Sequence, residues 1–129
     1  MYDTGYDSYR QTEITVKAAN ASPQQLVVML MDGLMDELDR AEGHMQAKNY
    51  VRKGDAIKKS MRILSGLSVA LDLEQGGNLA IHLKQLYQFC GKRLMKASIR
   101  NDVAELQQVR KILSEIREGW AGFARRHTS

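Results

Sequence analysis

Apolar residues recur along most of this chain at spacings of three and four, the mark of one buried helix face, and they do so in four separate runs. The first run is Leu26, Val27, Leu30, Leu34, Leu38, Ala41 and Met45, which predicts a long helix ending near Gln46. Its start is written in Ser22-Pro23-Gln24-Gln25. The Ser22 hydroxyl can accept from the Gln25 amide, the Gln25 side chain can reach back, and Pro23 sits where a backbone N–H has no helical partner. A second run opens at Asn49 and carries Ile57, Met61, Leu64, Leu67 and Leu71 before the turn residues Gln75-Gly76-Gly77-Asn78. Asn78 is placed to cap a third helix, with the stripe Leu79, Leu83, Leu86, Tyr87, Cys90 and Leu94 fading near Ile99. Asn101 and Asp102 then cap a fourth, striped by Leu106, Val109, Leu113, Ile116 and Trp120. Only Ile14 and Val16, alternating with Thr15 and Lys17, hint at an extended piece, and it would have no partner strand.

Four amphipathic segments joined by short polar connections predict an all-α fold, an antiparallel up-down-up-down four-helix bundle. The expected organisation is an N-terminal arm over residues 1–21, a bundle over 22–123 and a basic tail over 124–129. No internal repeat or low-complexity tract interrupts it.

The apolar positions exceed what one seam needs. On the first helix, Val28, Met31 and Met35 widen the apolar arc from about 120° to about 200°. On the third, Ile81, Phe89 and Met95 project away from the main stripe, and Ile63 on the second joins them as a candidate for an exposed groove. A surplus of this kind on a small protein implies either a surface for another polypeptide or a cover supplied by the chain itself. The cover would be the arm, where Tyr2, Tyr6 and Tyr9 recur at helical spacing; rings that occupy the groove in the free protein could give way to a ligand. Six methionines besides Met1, at Met29, Met31, Met35, Met45, Met61 and Met95, suit an adaptable surface and suit core filling better.

Charge adds little to this picture. Nineteen Lys and Arg against fifteen Asp and Glu leave a formal +4, with the two signs interleaved, so the faces read as solvated and nucleic acid is not an expected partner. The one cysteine, Cys90, cannot form an intramolecular disulfide, and the polar, tyrosine-rich start is unlike a signal peptide. The longest apolar stretch, Leu26 to Met31, is far shorter than the roughly 20 residues of a membrane span. These features point to the cytosol and to no membrane insertion.

Catalytic constellations are poor. No Glu-x-x-His motif accompanies His44, His82 or His127, so neither a di-iron nor a zinc centre is expected, and Cys90 falls on an apolar stripe with no base beside it. A histidine phosphotransfer bundle is the one enzymatic alternative, with His82 as the acceptor. Lys84 stands two residues away, about 200° round the helix, where it could not share a phosphoryl group with His82.

Beyond these patterns, particular residues resemble the FliS family. They are Gly5-Tyr6-Asp7-Ser8-Tyr9-Arg10-Gln11, Ala21-Ser22-Pro23-Gln24-Gln25-Leu26, Met29-Leu30 with Asp32-Gly33, then Leu86-Tyr87, Leu94, Ala97, Asn101-Asp102 and Ile116-Arg117-Glu118-Gly119-Trp120. The likeness runs from about residue 2 to residue 123; each piece alone is unspecific, while their order and spacing together are not. One departure is Met31, where the family pattern leads one to expect an aromatic. The resemblance implies a cytoplasmic export chaperone that binds the C-terminal segment of flagellin, prevents its premature polymerisation and helps deliver it to the flagellar export apparatus. It implies no catalysis and no cofactor, and it leaves room for docking to export-gate components and for a homodimer of the free protein. The groove expected for the ligand comprises Val28, Met31, Met35, Ile63, Ile81, Phe89 and Met95, with Tyr6 and Tyr9 as the arm's plugs.

Overall fold

A computed structural model of the chain describes residues 21–126, and the arm with its tyrosines lies outside the described residues. Among the described residues four helices follow one another: α1 (Pro23–Gln46), α2 (Tyr50–Val69), α3 (Leu73–Arg100) and α4 (Val103–Arg126). Each packs on its neighbours in a ring, α1 on α2 and α4, and α3 on α2 and α4, which is the antiparallel four-helix bundle that the periodicity predicts.

The helix starts are fixed by side chains that satisfy otherwise orphaned backbone amides. At Ser22 the capping box is complete: its hydroxyl accepts from Gln25 N at 3.2 Å, and its own N–H donates to Gln25 Oε1 at 2.8 Å. Asn49 Oδ1 accepts from Arg52 N to open α2, and Asp102 Oδ1 from Glu105 N to open α4. The third helix starts earlier than expected, because Asp72 rather than Asn78 supplies the first cap, accepting from Gln75 N at 3.0 Å. The expected turn survives as a break at Gly77, whose φ of 54° and ψ of −132° leave the helical region. Asn101 closes α3 in the left-handed conformation, which asparagine tolerates better than most residues, and its Nδ2 donates to Met45 O at 3.1 Å. The final helix continues through Ala124 to Arg126.

The core of α1 is Met31, Leu34, Met35, Leu38, Ala41 and Met45, so Met31 and Met35 are buried where an exposed groove was expected. Leu26 and Leu30, expected in the core, are instead more than a third exposed. The cause is geometric. A spacing of four residues advances about 400°, about 40° beyond a full turn, so a ladder of leucines at 26, 30, 34 and 38 winds round the helix. With Leu34 and Leu38 on the seam, Leu30 and Leu26 have rotated off it, and Met31 takes the inward place one turn earlier. The methionines are mainly core: Met45 is buried too, and Met61 packs against the core from α2.

Between α2 and α3 the approach is close. A Cβ on Gly91 would stand 3.3 Å from the Met61 terminal methyl, so glycine at this position lets the thioether lie across α3. Buried Lys53 spans the same pair and donates to Ser98 O at 2.8 Å, placing its charge at the C-terminal end of α3 on a carbonyl that also accepts from Asn101 N. Across α1 and α4, Arg110 makes a two-pronged bridge to Asp39 and Arg117 a second one to Asp32.

If the leucine ladder winds off the seam as described, truncation along it should cost unequal amounts. Leu38→Ala is expected to lose about 2–5 kcal/mol of unfolding free energy and Leu30→Ala about 1 kcal/mol or less, read from urea denaturation. Equal losses would contradict the seam.

Candidate functional site

The helix ends that carry the start of α1, the end of α2, the start of α3 and the end of α4 converge at one end of the bundle and do not close it. They leave an open cleft of about 970 Å³. Leu26, Val27 and Leu30 come from α1, Leu67 from α2, Leu79 and Leu83 from α3, and Ile116, Trp120 and Phe123 from α4. Few polar groups interrupt the lining: Gln24, Asp72, Gln75 and Arg126 are the side chains that could address a ligand's backbone or charge at its edge. The cleft exists because the leucine ladder rotates away from the seam here, which leaves Leu26 and Leu30 more than a third exposed among the described helices.

At its floor, Trp120 Nε1 donates to Tyr87 Oη at 3.2 Å, and Phe123 meets the indole edge to face, 6.0 Å between ring centroids. Tyr87 is buried, and desolvation raises its phenol above the ordinary value, partly offset by the hydrogen bond from Trp120. The phenol therefore stays neutral and serves to orient the indole. Trp120 is half-buried and is the only tryptophan of the chain.

The residues expected to form the groove do not form one surface. Met31 and Met35 belong to the core. Ile81, Phe89 and Met95 are exposed by 44%, 47% and 43%, as expected, but Ile81 and Met95 turn toward the α2 side of α3 while Phe89 turns toward α4, with the Arg93 guanidinium over its ring. Ile63 is half-buried near Gly33, and Val28 is half-buried on the α1/α4 flank beside Arg117 and Ala121. Tyr6 and Tyr9 lie outside the described residues. What sequence reasoning missed is the cleft itself, whose lining had been assigned to the core stripes. The clue available in the sequence was the strict four-residue spacing of Leu26, Leu30, Leu34 and Leu38, which cannot stay on one face.

Reactive chemistry is sparse. Among the described residues no group of three His, Cys, Asp or Glu side chains is placed to hold a metal ion. His82 is exposed on α3. Cys90 is buried in the core, and desolvation pushes its thiol from 9.0 up to about 11, with Arg93 pulling the other way. Among the described residues no helix is long and apolar enough to cross a membrane.

A family profile described as "Flagellar protein FliS" matches residues 3–127. The chain is 37% identical over 118 residues to the flagellar secretion chaperone FliS of Salmonella typhimurium, covering 91% of this chain and 87% of that one. It is also 37% identical over 116 residues to the flagellar secretion chaperone FliSB of Pseudomonas aeruginosa, covering 90% and 92% respectively. The FliS of Bacillus subtilis is more distant, at 24% over 115 residues.

The thiol of Cys90 should be inert in the folded protein. Its folded pKa is raised, so its contribution to stability is complete below the ordinary value of 9.0 and is lost as pH climbs toward about 11. Native protein is expected to react slowly with a thiol-specific reagent and fast in denaturant, and Cys90→Ala to lose less stability than the parent between those two pH values. Rapid labelling of the native thiol would contradict its burial.

Proposed function

The chain belongs to the FliS family of flagellar secretion chaperones, and from that premise we propose that it is a cytoplasmic chaperone for the C-terminal segment of flagellin. In this reading it keeps the segment from polymerising prematurely and hands it to the flagellar export apparatus, without a catalytic step. The observation that carries the proposal is the apolar cleft at the open end of the bundle. A segment that is disordered until assembly can lay an amphipathic helix into such a cleft and fold as it binds.

Magnitudes support the reading. Covering five or six side chains such as Leu26, Leu30, Leu79, Leu83, Trp120 and Phe123 is worth roughly 10–15 kcal/mol gross, at about 1.5–3 kcal/mol each before partial exposure is discounted. Ordering the ligand consumes a substantial part of that, about 2–5 kcal/mol or more, which leaves an affinity suited to holding and release. Gln24, Gln75 and Arg126 at the rim supply hydrogen bonds for register.

The arm is the natural cover for the cleft in the free protein. Pro23, the first helical residue, itself lines the cleft, so the preceding residues start from its rim. Tyr6 and Tyr9 are the proposed plugs, displaced when flagellin arrives. Exposed Phe89, on the α4 side of α3, would offer a further contact to an extended part of the ligand outside the cleft.

The test uses the single tryptophan. Adding a flagellin C-terminal peptide should shift Trp120 emission to the blue, and Leu79→Asp, at an exposed cleft position, should weaken binding by about tenfold or more with helical content unchanged. Normal binding by that variant would remove the cleft from the site. Deleting residues 1–15 should raise both peptide affinity and the binding of an apolar dye; if neither changes, the arm is not a cover.

A further inference from the structure

The helices do not share charge evenly. α1 carries five acids, Asp32, Asp36, Glu37, Asp39 and Glu42, against Arg40, whereas α2 and α3 each carry five bases against a single acid. The bridges from Arg110 and Arg117 use part of the acidity of α1 on α4, and Glu105 of α4 engages Arg93. Lys58, Arg62 and Lys92 take part in no ion pair among the described residues.

These three bases share one strip. Lys53 against Ser98 and Gly91 against Met61 fix how α2 and α3 run past each other. In that antiparallel register, at 100° per residue, Val51, Lys58, Arg62 and Val69 turn outward along α2 beside Ile99, Met95, Lys92 and Ile81 of α3. Aliphatic groups occupy both ends of the strip, with Val51 78%, Ile99 80% and Val69 81% exposed, and between them stand the three unpaired bases with one exposed acid, Asp55, a turn before Lys58. From Val51 to Val69 the strip is roughly 27 Å long at 1.5 Å per residue.

We infer that this α2/α3 face is a second docking surface, for an acidic amphipathic helix of a partner polypeptide. The occupant follows from complementarity. A helix of about five turns matches the strip in length, apolar residues at its two ends would cover the aliphatic groups, and Asp or Glu between them would meet Lys58, Arg62 and Lys92. Nucleic acid fits less well, because the strip's ends are aliphatic and the exposed aromatic at its edge, Tyr50, already has the Lys53 ammonium over its ring. The basic middle of the surface lies on the flank of α2 and α3 and shares no residue with the lining of the proposed flagellin cleft, which the strip approaches only at its Val69 and Ile81 end.

The experiment follows a fluorescein-labelled synthetic helix of about 20 residues, with leucines at both ends and glutamates between them on one face, by anisotropy with the full chain. Binding is expected, weakened by salt, and weakened about tenfold or more when the glutamates become glutamines or when the same residues are shuffled off one face. The triple variant Lys58→Glu, Arg62→Glu, Lys92→Glu should lose the peptide and keep both its circular dichroism and its capture of flagellin peptide; should it misfold, Lys92→Glu alone is measured for a partial loss. Equal binding of the acidic and glutamine peptides, or of the shuffled one, would overturn the inference, as would unchanged binding by the variant. So would preferential use of these residues by phosphatidylserine vesicles, by duplex DNA, or by a second copy of the chain that the variant renders monomeric.

Discussion

A helix that must pack against two neighbours at once has to present a buried arc wider than a single ridge, and of the four helices of the ring α1 shows that constraint most fully. It lies against both α2 and α4, and its inward residues Met31, Leu34, Met35, Leu38, Ala41 and Met45 spread accordingly. The same requirement decides where burial stops. Toward its start the leucines continue at spacings of four and therefore leave the seam, so the core ends and an apolar cleft begins within one continuous helix. Core and cleft are two parts of one pattern.

Electrostatics complement that layout. The acids of α1 meet the arginines of α4, which orders one flank of the bundle through Asp32, Asp39, Arg110 and Arg117. Exposed pairs of this kind contribute little stability individually, typically below about 1 kcal/mol, so their main effect is to fix how the two helices are registered. Consuming acids there leaves the opposite flank basic. Two polar side chains at the helix ends perform narrower tasks: buried Lys53 links α2 to a carbonyl at the end of α3, and partly buried Asn101 ties the α3–α4 connection to the end of α1.

Much of this was legible in the sequence, for identifiable reasons. Ser22 with Pro23 and Gln25 specifies a helix start through local hydrogen bonds alone, and the structure shows both of them. Leu106, Val109 and Leu113 combine spacings of three and four, which keeps them on one face, and all three are buried. Membership of the FliS family was likewise readable from the order of short motifs. The groove was not. A helical wheel gives angles within one helix but not which angle faces the bundle axis, so Met31 and Met35 were set outside and Leu26 and Leu30 inside. Nor does a wheel say which exposed residues on different helices meet, and thus Ile81 and Phe89 were grouped although they lie on different flanks. Asp72 was overlooked because Gly76 and Gly77 drew the boundary forward, although its side chain accepts from Gln75.

The order of the connections has a mechanical corollary. At the open end, α2 and α3 are joined through Ala70 to Asp72, while α1 begins there and α4 ends there, held to each other by their arginine bridges. The pairs α1–α2 and α3–α4, in turn, are joined at the far end by Ala47 to Asn49 and by Asn101 with Asp102. The chain's path thus places the Ala70 to Asp72 loop at the mouth, and the packing of α1 on α2 and of α3 on α4 sets how wide the cleft stands.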